Sequence, residues 1–336
     1  LWGINNLHRQ RLCMKKGDGA GMKILVTGGA GFIGSHLCDS LLSSGFEVVC
    51  ADRLVFRHTN NIDHLFSNNR FTFEEIDLAV MDETLSLFEK YDIEAVYHLA
   101  ANSDIKKGGQ EPSIDFHDTL MTTHCVLEGM RKTGVSRLFF ASTSAVYGER
   151  SGESLVETAG GLLPVSYYGG AKFASEALIS SYASMLDMSV MVFRFPNVIG
   201  PRLTHGVIFD FVAKLRKDPR RLEILGDGTQ CKPYIYVHDL IEAIILLTAE
   251  WRQGIEIVNV GVRGAGTTVA QIAEIVVNEI GLEGVELLYT GGDRGWKGDV
   301  PKFEYDISKA LSMGWQPSHT SDESVIATVR SVVEAC

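Results

Sequence analysis

From Lys23 onward the chain alternates short runs of β-branched and other apolar residues with stretches whose apolar positions recur three and four apart. The runs predict strands at 23–27, 47–52, 71–77, 95–99, 137–142 and 189–193. The stretches between them predict helices at 32–44, 82–91, 113–133 and 171–186. Strand–helix alternation of this kind specifies a doubly wound α/β architecture, a parallel sheet with helices on both faces. Near-continuous apolar strands, Lys-Ile-Leu-Val-Thr at 23–27 and Val-Met-Val-Phe at 190–193, suit burial on both faces.

Past about residue 195 the pattern changes to shorter, mixed elements. Helices are predicted at 208–217, 240–249, 269–280 and 324–333, and strands at 223–225, 234–236 and 256–259. Loops 226–233 and 290–301 are rich in glycine and polar residues. The expectation is a sheet domain over 23–195, with returning segments from about 235–262, and a smaller mixed α/β lobe over 196–336. Residues 1–22 carry Arg9, Arg11, Lys15 and Lys16 against Asp18 and show no apolar period, so they read as a disordered extension.

Composition narrows the partners. With 31 Lys+Arg against 42 Asp+Glu in 336 residues, the formal charge of −11 argues against nucleic-acid binding, which needs a basic footprint. The six cysteines lie far apart with no CxxC and read as reduced thiols of a cytoplasmic protein. The longest fully apolar run, 243–247, is far too short to span a membrane. The ten histidines show no HxH or HExxH spacing, so no metal site is expected, and His98 and His238 read as satisfied structural groups.

Two clusters carry chemistry. The first strand runs into Gly28-Gly29-Ala30-Gly31-Phe32-Ile33-Gly34 and then a helix. Glycines there let the backbone approach a pyrophosphate, and the helix N-terminus offers unpaired N–H groups and partial positive charge. Asp52 ends the second strand, where a carboxylate accepts from the adenosine ribose hydroxyls and disfavours a 2′-phosphate, pointing to NAD over NADP; Arg53 beside it pulls the other way. In the second cluster, Tyr168 and Lys172 stand four apart at a helix start and share one face. The fifth strand ends in Ser142-Thr143-Ser144, which puts hydroxyls at the carboxyl edge of the sheet, where doubly wound proteins bind ligands.

Together these blocks resemble the extended short-chain dehydrogenase/reductase superfamily, with its Rossmann-like domain, and most of all its UDP-galactose 4-epimerase branch. The similar segments are TGGAGFIGSHL, Asp77-Leu78, HLAA at 98–101, STSAVYG at 142–148, YYGGAK at 167–172, RFPNVIGPR at 194–202, LGDGTQCKPYIYVHDL at 225–240 and GGDRGWKGDVP at 291–301. The resemblance implies a catalytic trio of Thr143, Tyr168 and Lys172. It implies NAD held by Gly28, Gly31, Phe32, Ile33, Gly34, Asp52, Asp77, Leu78, Leu99, Ala100, Ala101, Asp118, Tyr168 and Lys172. For Tyr168 to act as a base near pH 7, a phenol that ordinarily ionises near pH 10 needs about 4 kcal/mol of help. One cation about 5 Å away supplies roughly 3 kcal/mol at an effective dielectric near 20, so Lys172 needs the positive ring of NAD+ beside it.

The implied reaction is C4 epimerisation of a UDP-hexose through a transient 4-keto sugar. Resembling 4,6-dehydratases carry an acid just after the catalytic Thr, where this chain has Ser144 and Ala145. Substrate contacts are expected from Thr143, Ser144, Tyr168, Asn197, Lys232, Arg294, Asp299 and Phe303. Lys232 stands where many relatives have Arg. Phe303 lies where the C2 substituent is gated, and its bulk points to glucose and galactose. Asp118 replaces a usual Asn, with His117 or His124 as candidate offsets to its charge. A homodimer through helices 113–133 and 171–186 is implied as well. The alternatives are a uronate 4-epimerase, a decarboxylase, a 4,6-dehydratase or a silent dinucleotide-sensing protein.

Overall fold

The computed structural model describes residues 21–55, 58–150, 154–250, 252–264, 266–292 and 300–335. The first elements are β1 (Lys23–Thr27), α1 (Phe32–Ser43), β2 (Glu47–Asp52), β3 (Phe71–Glu75), α2 (Met81–Lys90) and β4 (Ala95–His98). Next come α3 (Ile105–Gln110), α4 (Pro112–Asp115), a π turn (Phe116–Met121), α5 (Thr122–Thr133) and β5 (Arg137–Thr143). A 3-10 turn (Ser144–Tyr147), β6 (Ser154–Leu155), α6 (Tyr167–Met185), β7 (Ser189–Phe195) and β8 (Asn197–Ile199) follow. The remainder is α7 (Val207–Lys217), β9 (Arg221–Ile224), β10 (Cys231–Lys232), β11 (Tyr234–Tyr236), α8 (Val237–Leu247) and β12 (Gly254–Asn259). Then come β13 (Thr267–Thr268), α9 (Val269–Ile280), β14 (Glu286–Tyr289), β15 (Glu304–Tyr305), α10 (Ser308–Ser312) and α11 (Ser321–Ala335).

Seven strands form one sheet in the order β12-β7-β5-β4-β1-β2-β3. β1 pairs in parallel with both β2 and β4, and β2–β3 and β4–β5 are parallel too. The order reverses on either side of β1, so the carboxyl ends of β1 and β4 border the crevice where such sheets take ligands. This is the expected Rossmann-like arrangement. The inner strands β1, β2, β4, β5 and β7 are buried along most of their length, with Leu25, Val26, Val96, Leu138 and Phe139 at 0% exposure. Burial on both faces explains why they read as unbroken apolar runs rather than as alternation.

The chain divides into two compact units. One comprises residues 1–141, 174–192 and 241–256; the other comprises 142–173, 193–240 and 257–336. Within the first, Leu37 and Leu41 of α1 and Cys125, Val126 and Met130 of α5 are buried. Within the second, α7, α9 and α11 pack around β9 through Ile208, Phe211, Leu215, Leu222, Ile272, Val276, Val325 and Val329. A separate cluster there joins Val146, Tyr147, Leu155, Tyr305 and Ile307.

Differences from the sequence expectation are local and have causes. The helix expected over 113–133 is broken into α4, the π turn and α5. The helix expected from 171 begins at Tyr167, because Ser166 Oγ accepts from Gly169 N (3.1 Å) and starts it earlier. Gly169 and Gly170 in that first turn have no side chain to show the helical period. α3 was hidden in the same way by Gly108 and Gly109, and it starts where Asp104 Oδ1 accepts from Lys107 N (2.9 Å). Of residues 1–22, over which a disordered extension was expected, 1–20 lie outside the described residues.

Candidate active site

The glycine loop is packed backbone against backbone. Gly28 has φ +69°, and a Cβ there would stand 2.8 Å from Ala100 N and 3.1 Å from Leu99 C, so only glycine suits a turn this tight against the end of β4. At Gly34 a Cβ would stand 2.2 Å from Gly28 O, which lets α1 start directly on the loop. Gly29, which the motif reading left without a role, leaves space for the Cys50 sulfur, 2.5 Å from where its Cβ would be. Thr27 Oγ1 accepts from Leu99 N (3.1 Å) and Ala100 N (3.2 Å) and bonds His98 Nδ1 (2.7 Å). His98 Nε2 bonds Thr123 Oγ1 (3.1 Å), so this buried histidine is a structural tie between β1, β4 and α5.

α1 itself is left ready for an anion. Its N-cap Gly31 supplies no side-chain hydrogen bond, and its first turn holds no acidic residue. Phe32 and Ile33 are half-buried there. The amides of such a terminus and its dipole suit a pyrophosphate. Asp52 lies beside the loop: Oδ2 accepts from Ala30 N (3.1 Å) and Oδ1 from Leu54 N (2.9 Å). Burial pushes the Asp52 carboxyl up, against the opposing pull of these amides and of Arg53. Each oxygen keeps acceptor capacity for a hydroxyl.

Next to it stands a charge cluster that sequence reasoning did not assemble. Arg53 Nη1 donates to Asp118 Oδ1 (2.9 Å), Nη2 donates to Asp118 Oδ2, and Nη1 lies 3.6 Å from Asp77 Oδ2. His117 Nδ1 bonds Asp118 Oδ1 (2.9 Å). Of the two candidate offsets to the Asp118 charge, His117 contacts it, while the main neutralising group is Arg53. His124 instead lines an apolar groove elsewhere on the same helices. Burial works against the Arg53 charge, but Asp118 and Asp77 outweigh it and raise its pKa. Asp77 Oδ1 also accepts from Ala79 N (3.0 Å), and Leu78 is buried. Leu99, Ala100 and Ala101 follow β4, half-buried.

Thr143, Tyr168 and Lys172 fall in the same compact unit. Thr143 is the last residue of β5, and its Oγ1 accepts from Ala145 N (3.2 Å), which caps the 3-10 turn carrying Ser144. Tyr168 is the second residue of α6 and half-buried, while Lys172, one turn on, is only 2% exposed. Gly169 between them draws the helix close: a Cβ there would stand 2.7 Å from Ala145 O. The helix start with the tyrosine and lysine thus lies against the backbone two residues past Thr143. Below it Tyr147, 1% exposed, donates to Asn259 Oδ1 (2.7 Å) and lies under the Arg194 guanidinium, 4.8 Å from its ring centroid. Burial raises the Tyr147 phenol above its usual range.

Residues 24–261 match the NAD dependent epimerase/dehydratase family. The chain belongs to that family. A putative UDP-glucose 4-epimerase of Methanocaldococcus jannaschii is 34% identical over 307 residues, covering 90% of this chain and 95% of the relative. A UDP-glucuronate 4-epimerase of Thermodesulfobacterium geofontis is 31% identical, covering 91% and 94%. The crystal structure of Thermus thermophilus UDP-glucose 4-epimerase in complex with NAD superposes with a TM-score of 0.83 at 30% identity, over 94% of this chain and 100% of that one. Like its family, this epimerase/dehydratase uses NAD, and the loop, helix terminus and acid described above fit that cofactor.

The residues expected to meet a substrate are spread over the second unit. Asn197 is exposed on β8, in register with Tyr234 of β11. Lys232 is half-buried on β10, opposite Thr267. Phe303 is half-buried and set edge-on to Tyr305, with centroids 6.2 Å apart, and Tyr305 stands edge-on to Tyr147. Arg294 and Asp299 lie outside the described residues.

Proposed function

We propose that this family member is an NAD-dependent UDP-hexose 4-epimerase that interconverts UDP-glucose and UDP-galactose through a transient 4-keto sugar. The observation that carries the reading is the seating of α6 on the end of β5 at Gly169, which groups Thr143 with the helix turn bearing Tyr168 and Lys172. Bound NAD+ would supply the hydride acceptor and a positively charged ring. Tyr168, as phenolate, takes the proton from the C4 hydroxyl and gives it back to the C4 oxygen of whichever epimer forms, while the face of C4 that regains the hydride sets the configuration. Buried Lys172 favours the phenolate, and Thr143 orients the hydroxyl and relays its proton. Ser144 and Ala145 follow Thr143 without a carboxyl group to drive elimination, which disfavours dehydration. Residues 23–195 with the returning segment 235–262 would hold the cofactor, and 196–336 the nucleotide sugar, with Asn197, Lys232 and Arg294 toward the diphosphate, Asp299 toward its ribose and Phe303 toward the sugar C2.

The test is incubation with UDP-galactose and product analysis by NMR. UDP-glucose is the expected product, and its absence refutes the substrate assignment. Tyr168→Phe should lower kcat by at least about 100-fold, in line with loss of general acid–base catalysis; wild-type turnover in that variant would refute the mechanism. The Thermodesulfobacterium relative supports uronate epimerisation as a second reading, which conversion of UDP-glucuronate in the same assay would favour. We further propose a homodimer. A groove of about 560 Å³, lined by Phe116, Leu120, Met121, Ala174, Ala177 and Leu178, runs along the π turn and α6, and Phe116 is 56% exposed. A reducing, cytoplasmic setting suits Cys38, Cys50 and Cys125, which are buried free thiols.

A further inference from the structure

Arg53 directly follows the acid that a ribose hydroxyl would meet, the neighbourhood from which a guanidinium accommodates the 2′-phosphate of NADP in dinucleotide folds. In this chain that guanidinium is already engaged. Asp118 holds it fork to fork, and Asp77 adds a second carboxylate at 3.6 Å. The Asp118 side chain is only 12% exposed against 34% for Asp77 and for Arg53, so the tighter of the two contacts is also the better shielded from solvent. Asp118 is fixed from its own side by the π turn on which it sits and by His117 Nδ1 at 2.9 Å. Arg53 is fixed from its side by Asp52, bonded to Ala30 N and Leu54 N, and by Leu54 turning the chain at φ +51°.

We propose that Asp118 and Asp77 form a latch on Arg53 that withholds it from a 2′-phosphate, so that cofactor choice is set by the latch as well as by Asp52. A phosphate reaching for Arg53 would have to displace a bidentate carboxylate and would face two further negative charges. An Asn at position 118 would leave Arg53 with Asp77 alone and free the guanidinium fork. The inference deepens the proposed cofactor site and rests on Asp52 meeting the adenosine ribose.

The experiment equilibrates the full chain with equimolar NAD+ and NADP+ and reads by mass spectrometry the ratio of the two retained after gel filtration. Wild type retains NAD. Asp118→Asn should lower the NAD-to-NADP ratio about tenfold, the size expected when NADP gains one charge-assisted hydrogen bond from the freed guanidinium. The double variant Arg53→Ala with Asp118→Asn should restore the wild-type ratio, because the gain for NADP comes from the released guanidinium. Arg53→Ala alone should not lower the ratio, since it releases no guanidinium and leaves Asp118 and Asp77 without their counter-charge. An unmoved ratio in Asp118→Asn, a gain that persists in the double variant, or a lowered NAD-to-NADP ratio in Arg53→Ala overturns the latch. The readout is dinucleotide retention, so it stands apart from whether the chain epimerises a sugar.

Discussion

Glu128 on α5 receives Arg131 Nε (2.9 Å) and Nη2 (2.8 Å), and Tyr182 Oη donates to it at 2.6 Å. The Arg131 guanidinium and then the Tyr182 hydroxyl hold its carboxyl at about 2, while burial and Glu128 push Tyr182 up to about 12. A carboxyl depressed in the folded state stabilises the fold above its ordinary value of 4.5 and loses that contribution as pH falls toward about 2. Glu128→Gln should therefore melt about 2 °C below wild type at neutral pH, consistent with about 1 kcal/mol from a charge-assisted contact. The gap should narrow steadily below about pH 4.5, as thermal melts across that range would record. Legibility at this scale was uneven. Asp52, Tyr168 and Lys172 could be proposed from the sequence because the roles expected of them are tied to a local spacing along the chain. The partner of Asp118 could not, because Arg53 is 65 residues away and reaches it only once β2 and the π turn are folded. The same holds for Asn259, whose Nδ2 donates to Leu155 O (2.8 Å) and Asp306 O (3.1 Å), contacts that leave no periodic trace.

Among elements, α6 carries the residues of the proposed chemistry, and its seating tests whether geometry or mere presence of the trio counts. Gly169→Ala places a methyl group 2.7 Å from Ala145 O and must push the helix start off the end of β5 by several tenths of an ångström. The expected result is a kcat lowered by about 10- to 100-fold with the variant still folded, since small misplacements at a reacting centre are costly. Gly170→Ala is the internal control: nothing lies within 4 Å of its Cβ, so kcat should hold and helix propensity should add up to about 1 kcal/mol. Steady-state kinetics and melting curves on the pair decide the matter. Strands β1–β5, β7, β9, β11 and β12 could be read to within two residues, β8 and β14 were missed, and the capped helix Val269–Ile280 was read residue for residue. The two-residue ladders β6–β15 and β10–β13 were not readable. A strand that short has no period, and its pairing is dictated by residues far along the chain.

For the whole molecule, the alternation of strands and helices was enough to fix a doubly wound sheet, and the family match agrees with it. The proposed dimer belongs to this scale. Leu178→Glu sets a carboxylate into the apolar groove and should convert a dimer into a monomer, read as a halving of mass by light scattering. An unchanged mass would assign the groove to something other than self-association. The strand order carries a further consequence for biogenesis. β7 ends at Phe195, yet its outer neighbour β12 begins only at Gly254, joined through Gly254 N to Met188 O (2.8 Å) and Val260 N to Arg194 O (2.9 Å). While the ribosome is still making the stretch from 196 to 253, a nascent sheet carries an uncovered border containing Val190, Val192 and Phe193. Through that interval the border is open to sticking to its own kind, and the closing strand brings the exposure to an end.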